Sequence, residues 1–390
     1  MTLRLYVKVS ILTLHILIRS IMQYILDKLK INKEIPSSIF EKVQLAKELD
    51  DLIQKENYDK TDNTKHYSEK FNVLLFNLFN DKFDYSKEVI DPFAGKGDLL
   101  LTLERFNKVS MYDIKPDSAN IIQRDTLKNP INYSDKYVVT NPPYLAKNKN
   151  EDKTIYKLYK TDDLYKASIK SIINGNVLGG CLIVPINFLT DENTEDLRKE
   201  FFSKYHIENL NIFTTQMFEY TKYNTCSFNF FKGEQTDSIK AIVHNKDKLF
   251  ELNINLEHKY GYRLFGEFYE TLNIPTTVIR YMPEKHTKHS NIVVYCIDGI
   301  KDTSLIRTEY VEEIPIIKKS DRNTFVPYFT TNYSKEEQLK IVEYFNNFIK
   351  ENRNKYYNLI FTNFRENNRK RISFELAYRL LQKSIDDLQL

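Results

Sequence analysis

The chain has no tryptophan, only nine glycines and only three cysteines among 390 residues. Cys181, Cys226 and Cys296 share no recognisable spacing. That excludes a disulfide framework and leads us to expect a reducing, cytoplasmic setting. An excess of one charge is equally lacking, since 57 basic residues face 53 acidic ones for a formal net charge of +4. Such a balance supplies no chain-wide attraction for a polyanion, so any contact of that kind must come from a local patch. Long apolar runs are missing too. Residues 9–18 carry no formal charge but lie between Lys8 and Arg19, and they fall short of the ~20 residues that a membrane-spanning helix needs. Arg19-Ser20-Ile21-Met22 offers no small-residue cleavage site, which argues against a signal peptide. Residues 1–21 read instead as part of a helix packed on the body, or as a leader upstream of a start at Met22. Hydrophobic residues at 42% and charged ones at 28% describe a globular chain able to bury a large core, with two domains expected.

In a chain so poor in glycine, Asp91-Pro92-Phe93-Ala94-Gly95-Lys96-Gly97 places two glycines within three positions. It follows the apolar pair Val89-Ile90. A strand feeding a Gly-x-Gly turn lets the backbone approach a ligand closely at a helix N-terminus. Asp113 closes the next apolar stretch, 22 positions after Asp91. That is near the ~20-residue spacing at which an acid meets a ribose hydroxyl pair in nucleotide-binding α/β units. A P-loop is excluded because Gly97, rather than Ser or Thr, follows Lys96, and a dinucleotide fingerprint lacks its third glycine.

Fifty positions after Asp91 stands Asn141-Pro142-Pro143-Tyr144, at the end of the run Tyr137-Val138-Val139-Thr140. This sets a carboxamide oxygen, a backbone carbonyl and an aromatic ring at a strand terminus. The exocyclic amine of a planar base is a poor nucleophile because its lone pair is delocalised into the ring. Accepting its two N–H hydrogens at the Asn141 side-chain oxygen and the Pro142 carbonyl would drive the nitrogen toward a tetrahedral, electron-rich state. Pro142 and Pro143 stiffen the chain that aims this carbonyl, and the Tyr144 ring offers a stacking surface worth ~1–3 kcal/mol. Alone, the tetrapeptide reads equally as a Pro-Pro turn closing a strand.

Together the two motifs resemble those of the S-adenosylmethionine-dependent N6-adenine DNA methyltransferases, in the gamma-type order with a long C-terminal remainder. Gln123-Arg124-Asp125-Thr126-Leu127 is similar to the segment whose acid contacts the cofactor adenine, and Asp163-Leu164-Tyr165 opens a helix as in the fifth motif. Gly179-Gly180 and the strand to Pro185 resemble the sixth, and residues 223–232 resemble the eighth, where a ring holds the extruded base. Lys65-His66-Tyr67-Ser68-Glu69 partly matches the N-terminal cofactor motif, although Ser68 reads equally as a helix N-cap.

The resemblance implies S-adenosylmethionine as cofactor, held by Asp91, Phe93, Ala94, Gly95, Gly97, Asp113, Ile114, Asp125, Tyr67 and Ser68. It implies catalysis by Asn141, Pro142, Pro143 and Tyr144, with Tyr144 and Tyr223 against the base. The adenine must be flipped out of the duplex to reach them. Double-stranded DNA is then the partner of a monomer or homodimer, alongside a separate cognate endonuclease in a restriction-modification setting. No metal and no membrane are expected; His286 and His289 lie in what reads as a solvated basic loop.

Strand signals at 89–90, 109–112, 138–140, 182–184, 207–212 and 226–231 alternate with helical stretches, one at 71–80. The fold expected is α/β, a Rossmann-like S-adenosylmethionine methyltransferase domain with a mostly parallel seven-stranded sheet and a C-terminal α+β target-recognition domain. The boundaries expected are 1–60 for a helical segment, 61–235 for the catalytic domain and 236–390 for recognition, with the break in the turn residues 233–237. Within the last part, Lys259 and Arg263 are interleaved with aromatics, and Arg365, Arg369, Lys370 and Arg371 form the sharpest basic cluster. These are the DNA-contacting candidates, against packed aromatics and a solvated helical face. Residues 335–350 read as an amphipathic helix. A glutamine-N5 protein methyltransferase uses the same Asn-Pro-Pro-Tyr but seldom carries so long a C-terminal part. An RNA adenine methyltransferase and a catalytically silent DNA-binding subunit stand as further alternatives.

Overall fold

The computed structural model describes residues 74–390 apart from 76, 219–223, 236–237, 246–247, 300–304, 317–320, 322 and 364–369. The expected helical segment 1–60, and the candidate residues Tyr67, Ser68, Tyr223, Arg365 and Arg369, lie outside the described residues.

The strands are β1 (Glu88–Asp91), β2 (Lys108–Asp113), β3 (Ile122–Gln123), β4 (Tyr137–Thr140), β5 (Gly179–Pro185), β6 (Tyr205–Phe213), β7 (Thr225–Lys232), β8 (Ile239–Asn245) and β9 (Lys248–Ile254). They form one nine-stranded sheet in the order β3-β2-β1-β4-β5-β7-β6-β8-β9. The pairs from β3 to β5 are parallel, so the carboxyl ends of all five strands lie along one edge. β7 runs antiparallel to both neighbours, while β8 pairs parallel with β6 and antiparallel with β9. This is the mixed α/β, mostly parallel arrangement expected, but with nine strands rather than seven.

The two additional strands bear on the boundary. β7 and β8 belong to the same sheet, so the break expected at 233–237 falls between two of its strands. The reason is visible in β8: Ile239, Ala241 and Val243 are buried while Lys240 is exposed, an alternation that covers the edge of β6 and fills the core on one side.

Among the described residues the helices are α1 (Leu100–Leu103), α2 (Thr154–Leu158), α3 (Leu164–Gly175), α4 (Asn187–Thr190), α5 (Glu195–Phe202), α6 (Lys335–Lys355) and α7 (Phe374–Asp387). α3 starts where Asp163 accepts from the Tyr165 N–H, and stops where Asn176 turns left-handed at φ 56°. α6, expected from residue 335, begins in a capping box between Ser334 and Glu337. The helix expected over 71–80 is not continuous, because Asn77 takes a left-handed φ of 63°.

β5 is buried along its whole length, as a central strand must be with layers on both faces. Leu182 and Val184 join one apolar cluster with Ile90 and Val138, and Cys181 and Ile183 join a second with Val89 and Val139. Gly180 permits the close approach of β4, since a Cβ there would stand 1.7 Å from the Val138 carbonyl oxygen.

The C-terminal half adds small antiparallel sheets, β10 (Val278–Arg280) with β14 (Pro327–Phe329), β12 (Arg307–Tyr310) and β13 (Thr324–Phe325) around β11 (Ile292–Tyr295), and β15 (Thr362–Asn363) with β16 (Lys370–Arg371). It shares one core with the large sheet, a cluster running from Ile90 to Ile385. Arg198 of α5, fully buried, fastens the halves by donating to the carbonyls of Gly261 at 2.7 Å and Phe188 at 3.0 Å. Among the described residues no helix is long and apolar enough to cross a membrane.

Candidate active site

The parallel strands bring the candidate residues to one edge. Asp91 ends β1, Asp113 ends β2, Asp125 follows β3 by two residues and Asn141 follows β4. This edge is where open α/β sheets bind ligands.

The glycine loop is tied down by its neighbours. Ala94 N donates to the Tyr112 carbonyl and Gly95 N to Asp113 Oδ2, both at 2.8 Å. Asp113 Oδ1 accepts from Lys115 N at 2.8 Å. Each carboxylate oxygen of Asp113 thus keeps a further lone pair for a ligand hydroxyl. Gly95 at φ 55° is left-handed, and a Cβ there would meet no atom within 4 Å, so the loop presents bare backbone. Asp98 Oδ1, next to Gly97, is buried without a hydrogen-bond partner among the described residues, and burial pushes that carboxyl up. Ile114 is 63% exposed beside Asp113, an uncovered apolar surface that suits a planar ring. Phe93 packs against the small apolar cluster of Leu127, Ile155, Tyr159 and Ala167. Asp125 Oδ1 accepts from Leu127 N at 3.1 Å and Lys128 N at 3.0 Å, which fixes its carboxylate. Bare backbone, two fixed acids, an orphaned buried acceptor and an open apolar face fit an adenosine-bearing cofactor with a cationic amino-acid tail.

Asp91 is 1% exposed. Its Oδ1 accepts from the Thr140 hydroxyl at 2.6 Å and from Phe93 N at 3.1 Å. Burial pushes the carboxyl up to about 7, against these two hydrogen bonds, with Asp113 and Asp98 nearby adding to the rise. Thr140 was not singled out from the sequence. The signal was there, as a hydroxyl in a wholly buried strand that immediately precedes Asn141.

Asn141 and Tyr144 are half-buried, Pro142 is buried and Pro143 exposed. The Tyr144 hydroxyl lies 2.5 Å from Asn141 Oδ1 and 2.8 Å from the Ile183 carbonyl. Burial keeps this phenol well above its usual range, so it stays a donor. Its ring meets Tyr165 edge-on, at 6.3 Å between centroids. Tyr144 therefore orients the Asn141 carboxamide through its hydroxyl. Downstream, Leu145 N donates to Asp163 Oδ1 at 3.1 Å, clipping the motif to the start of α3.

The basic candidates are placed otherwise than expected. Lys370 is 1% exposed and its amine donates to Asn224 Oδ1 at 2.8 Å. Burial pushes the Lys370 amine down to about 7. Arg263 is 8% exposed and lies over the Tyr269 ring at 4.4 Å. Neither side chain is free to meet a phosphate. Arg371 is half-buried in β16. Lys259 is exposed but spanned by Glu257 at 3.2 Å and Glu270 at 3.3 Å. A contiguous basic cluster in sequence is thus partly a buried strand, because Lys370 finds a polar partner in Asn224, just before β7. The His286 ring stacks on Tyr328 at 4.2 Å and its Nδ1 accepts from Met282 N. Among the described residues no group of three or more His, Cys, Asp or Glu could hold a metal ion.

A family model described as N-6 DNA methylase matches residues 102–260. The match includes Asp125, Asn141 to Tyr144 and the Gly179-Gly180 pair, and it runs past β9. The resemblance read from the motifs is borne out. No curated protein matches the chain. Solved structures similar to it include a modification subunit of a putative type I restriction enzyme from Vibrio vulnificus YJ016, 14% identical over 60% of this chain and 65% of that one, with a TM-score of 0.38. Another is a putative class I S-adenosylmethionine-dependent methyltransferase from Listeria monocytogenes, 14% identical over 56% and 79%, TM-score 0.38. A third is the methyltransferase subunit of a type I restriction-modification system from Streptococcus thermophilus, 16% identical over 56% of each chain, TM-score 0.33. The chain spans 65% of the length of the Vibrio protein, just under two thirds.

Proposed function

We propose that the chain, whose residues 102–260 match the N-6 DNA methylase family, transfers a methyl group from S-adenosylmethionine to N6 of an adenine flipped out of double-stranded DNA, as the modification enzyme of a restriction-modification system. One observation carries the reading. The Thr140–Asp91 hydrogen bond of 2.6 Å locks the strand that delivers Asn141 to the strand that delivers the glycine loop. Amine acceptor and donor-binding loop are thereby held at the ends of adjacent parallel strands.

S-adenosylmethionine supplies, when bound, an electrophilic methyl group on a sulfonium. The chain's own residues prepare the acceptor. Asn141 Oδ1 and the Pro142 carbonyl take the two N6 hydrogens, which returns electron density to the nitrogen and stabilises the positive charge it develops. Oδ1 has two lone pairs, so the Tyr144 hydroxyl on one of them fixes the carboxamide while the other receives the amine. Gly95, Asp113 and Ile114 bind the cofactor's amino-acid end, ribose and base side by side, and Asp125 holds the adenine amine. Tyr144 offers its ring to the target base.

The experiment is incubation with tritiated S-adenosylmethionine and, separately, duplex DNA, RNA and protein acceptors. Label in DNA that digests to N6-methyladenosine is the expected result. Label in protein glutamine or in RNA alone overturns the proposal, and cofactor binding with no transfer to any acceptor assigns the chain to the silent-subunit reading.

A further inference from the structure

The chain leaves Tyr144 at Leu145 and returns at Asp163 as a closed lobe. Its ends are joined by an antiparallel bridge between Ala146 and Asp163 and by Lys147 N donating to the Asp162 carbonyl at 2.7 Å. Two tyrosines anchor it from within. Tyr156, 1% exposed, donates to the Leu145 carbonyl at 3.0 Å, and Tyr159 donates to the Leu127 carbonyl at 3.0 Å. With Ile155, Tyr156 and Tyr159 inward, Lys157 and Lys160 are exposed, as are Lys147 and Lys149 at the lobe's start. Lys153 differs, because its amine donates to the carbonyls of Lys147 and Asn150 and so braces the turn.

The charge here is concentrated and in excess. Residues 145–160 hold five lysines against Glu151 and Asp152, in a chain whose whole net charge is +4. Asp152 is already paired with Lys128 at 3.3 Å and the nearby Asp162 with Lys166 at 2.7 Å, which leaves Glu151 alone to offset the remaining lysines. Among the described residues Lys147, Lys149, Lys157 and Lys160 form no ion pair. Meanwhile Lys370 and Arg263 are buried and Lys259 is neutralised. A base seated at Asn141 brings its own flanking phosphates to the mouth of the site. Lys147 is six positions from Asn141, a length of chain that spans at most ~20 Å.

On the strength of the proposed function, we infer that Lys147, Lys149, Lys157 and Lys160 grip the DNA backbone on either side of the flipped adenine. The lobe after the Asn-Pro-Pro-Tyr motif is then the main electrostatic footprint of the catalytic half.

The test is duplex-DNA binding by fluorescence anisotropy across a range of KCl concentrations, with an RNA duplex of the same sequence in parallel. Each phosphate contact contributes a slope of about −0.9 in log K against log salt. The K147Q/K149Q/K157Q/K160Q variant should therefore lose about 3–4 from the slope. It should keep wild-type affinity for S-adenosylmethionine, which reports an intact fold. The corresponding four-arginine variant should keep the slope, and so should K87Q/K108Q, at the opposite edge of the sheet. A slope changed by less than about 1 in the glutamine variant, with methylation of DNA by the wild type intact, overturns the inference alone. Absence of DNA methylation by the wild type overturns the proposed function, and this inference with it. RNA bound with the same four-lysine dependence, and methylated in place of DNA, reassigns the partner and overturns both.

Discussion

The Thr140 hydroxyl donates to Asp91 Oδ1 at 2.6 Å, and both residues are buried, at 0% and 1% exposure. Asp91 also accepts from the backbone of Phe93, the first turn of the glycine loop. One carboxylate oxygen thus sets the spacing between the two loops that the proposed chemistry needs in register.

Thr140→Val keeps the shape of the side chain and removes the donor. A buried carboxyl losing a hydrogen bond costs about 1–3 kcal/mol, which urea unfolding will read as a lower midpoint. The stronger expectation is kinetic. kcat should fall more than cofactor affinity, because the strand bearing Asn141 is no longer tied to the loop. Unchanged kcat would show that the spacing is set elsewhere.

Asn141→Ala removes the amine acceptor without touching the glycine loop. Titration calorimetry should find S-adenosylmethionine affinity nearly intact. Single-turnover transfer should drop by about 10²–10³, the usual effect of deleting one preorganised electrostatic group. Equal loss of both would count against the role given to Asn141.

Tyr144→Phe and Tyr144→Ala separate hydroxyl from ring. The phenylalanine variant loses the hydroxyl donor shared between Asn141 Oδ1 and the Ile183 carbonyl but retains an aromatic face. It should bind DNA normally and turn over more slowly, as the carboxamide loses its fixed orientation. The alanine variant should in addition lose about 1–3 kcal/mol of base stacking, seen as a weaker signal from 2-aminopurine placed at the target position.

Asp91 gives a pH dependence. Its folded carboxyl sits at about 7 against an ordinary 3.8. Folding therefore favours the protonated form. The stability this contributes is fully present below 3.8 and is lost as pH rises through about 7. Asp91→Asn, uncharged throughout, should flatten the fall in urea midpoint between pH 4 and 7. A wild-type midpoint that climbs over that window, and climbs less in the variant, would contradict the buried, protonated reading of Asp91.

Gly180→Ala places a methyl group 1.7 Å from the Val138 carbonyl oxygen. The strands β4 and β5 cannot part without tearing the centre of the sheet. Destabilisation above about 4 kcal/mol is expected, visible as insoluble expression. A soluble, cooperative variant would mean that β4 and β5 can reregister.

Much of this was legible in the sequence because parallel strands deliver their carboxyl ends to one edge. Asp91, Asp113 and Asn141 could be grouped from apolar runs and spacing alone. Burial of isolated polar groups was not legible. Lys370 belongs to a run of basic residues in the sequence, yet its partner Asn224 is 146 positions away. β8 was missed for a different reason. The turn before it carries strong loop residues, and a short alternating strand looks the same whether it starts a new domain or closes an old sheet. Ile122 and Gln123 form a two-residue edge strand, too short to leave any periodicity.

The continuation of the sheet through Ile254 has an engineering consequence. Segments are recombined between proteins by cutting at a linker and grafting the downstream part onto a new scaffold. Here a cut at residue 235 would strip β8 and β9 from the donor scaffold and leave the β6 margin bare, an invitation to aggregation. A chimera that joins after Ile254, and that carries Asn224 with Lys370 as a matched pair, keeps both the sheet and its buried amine whole.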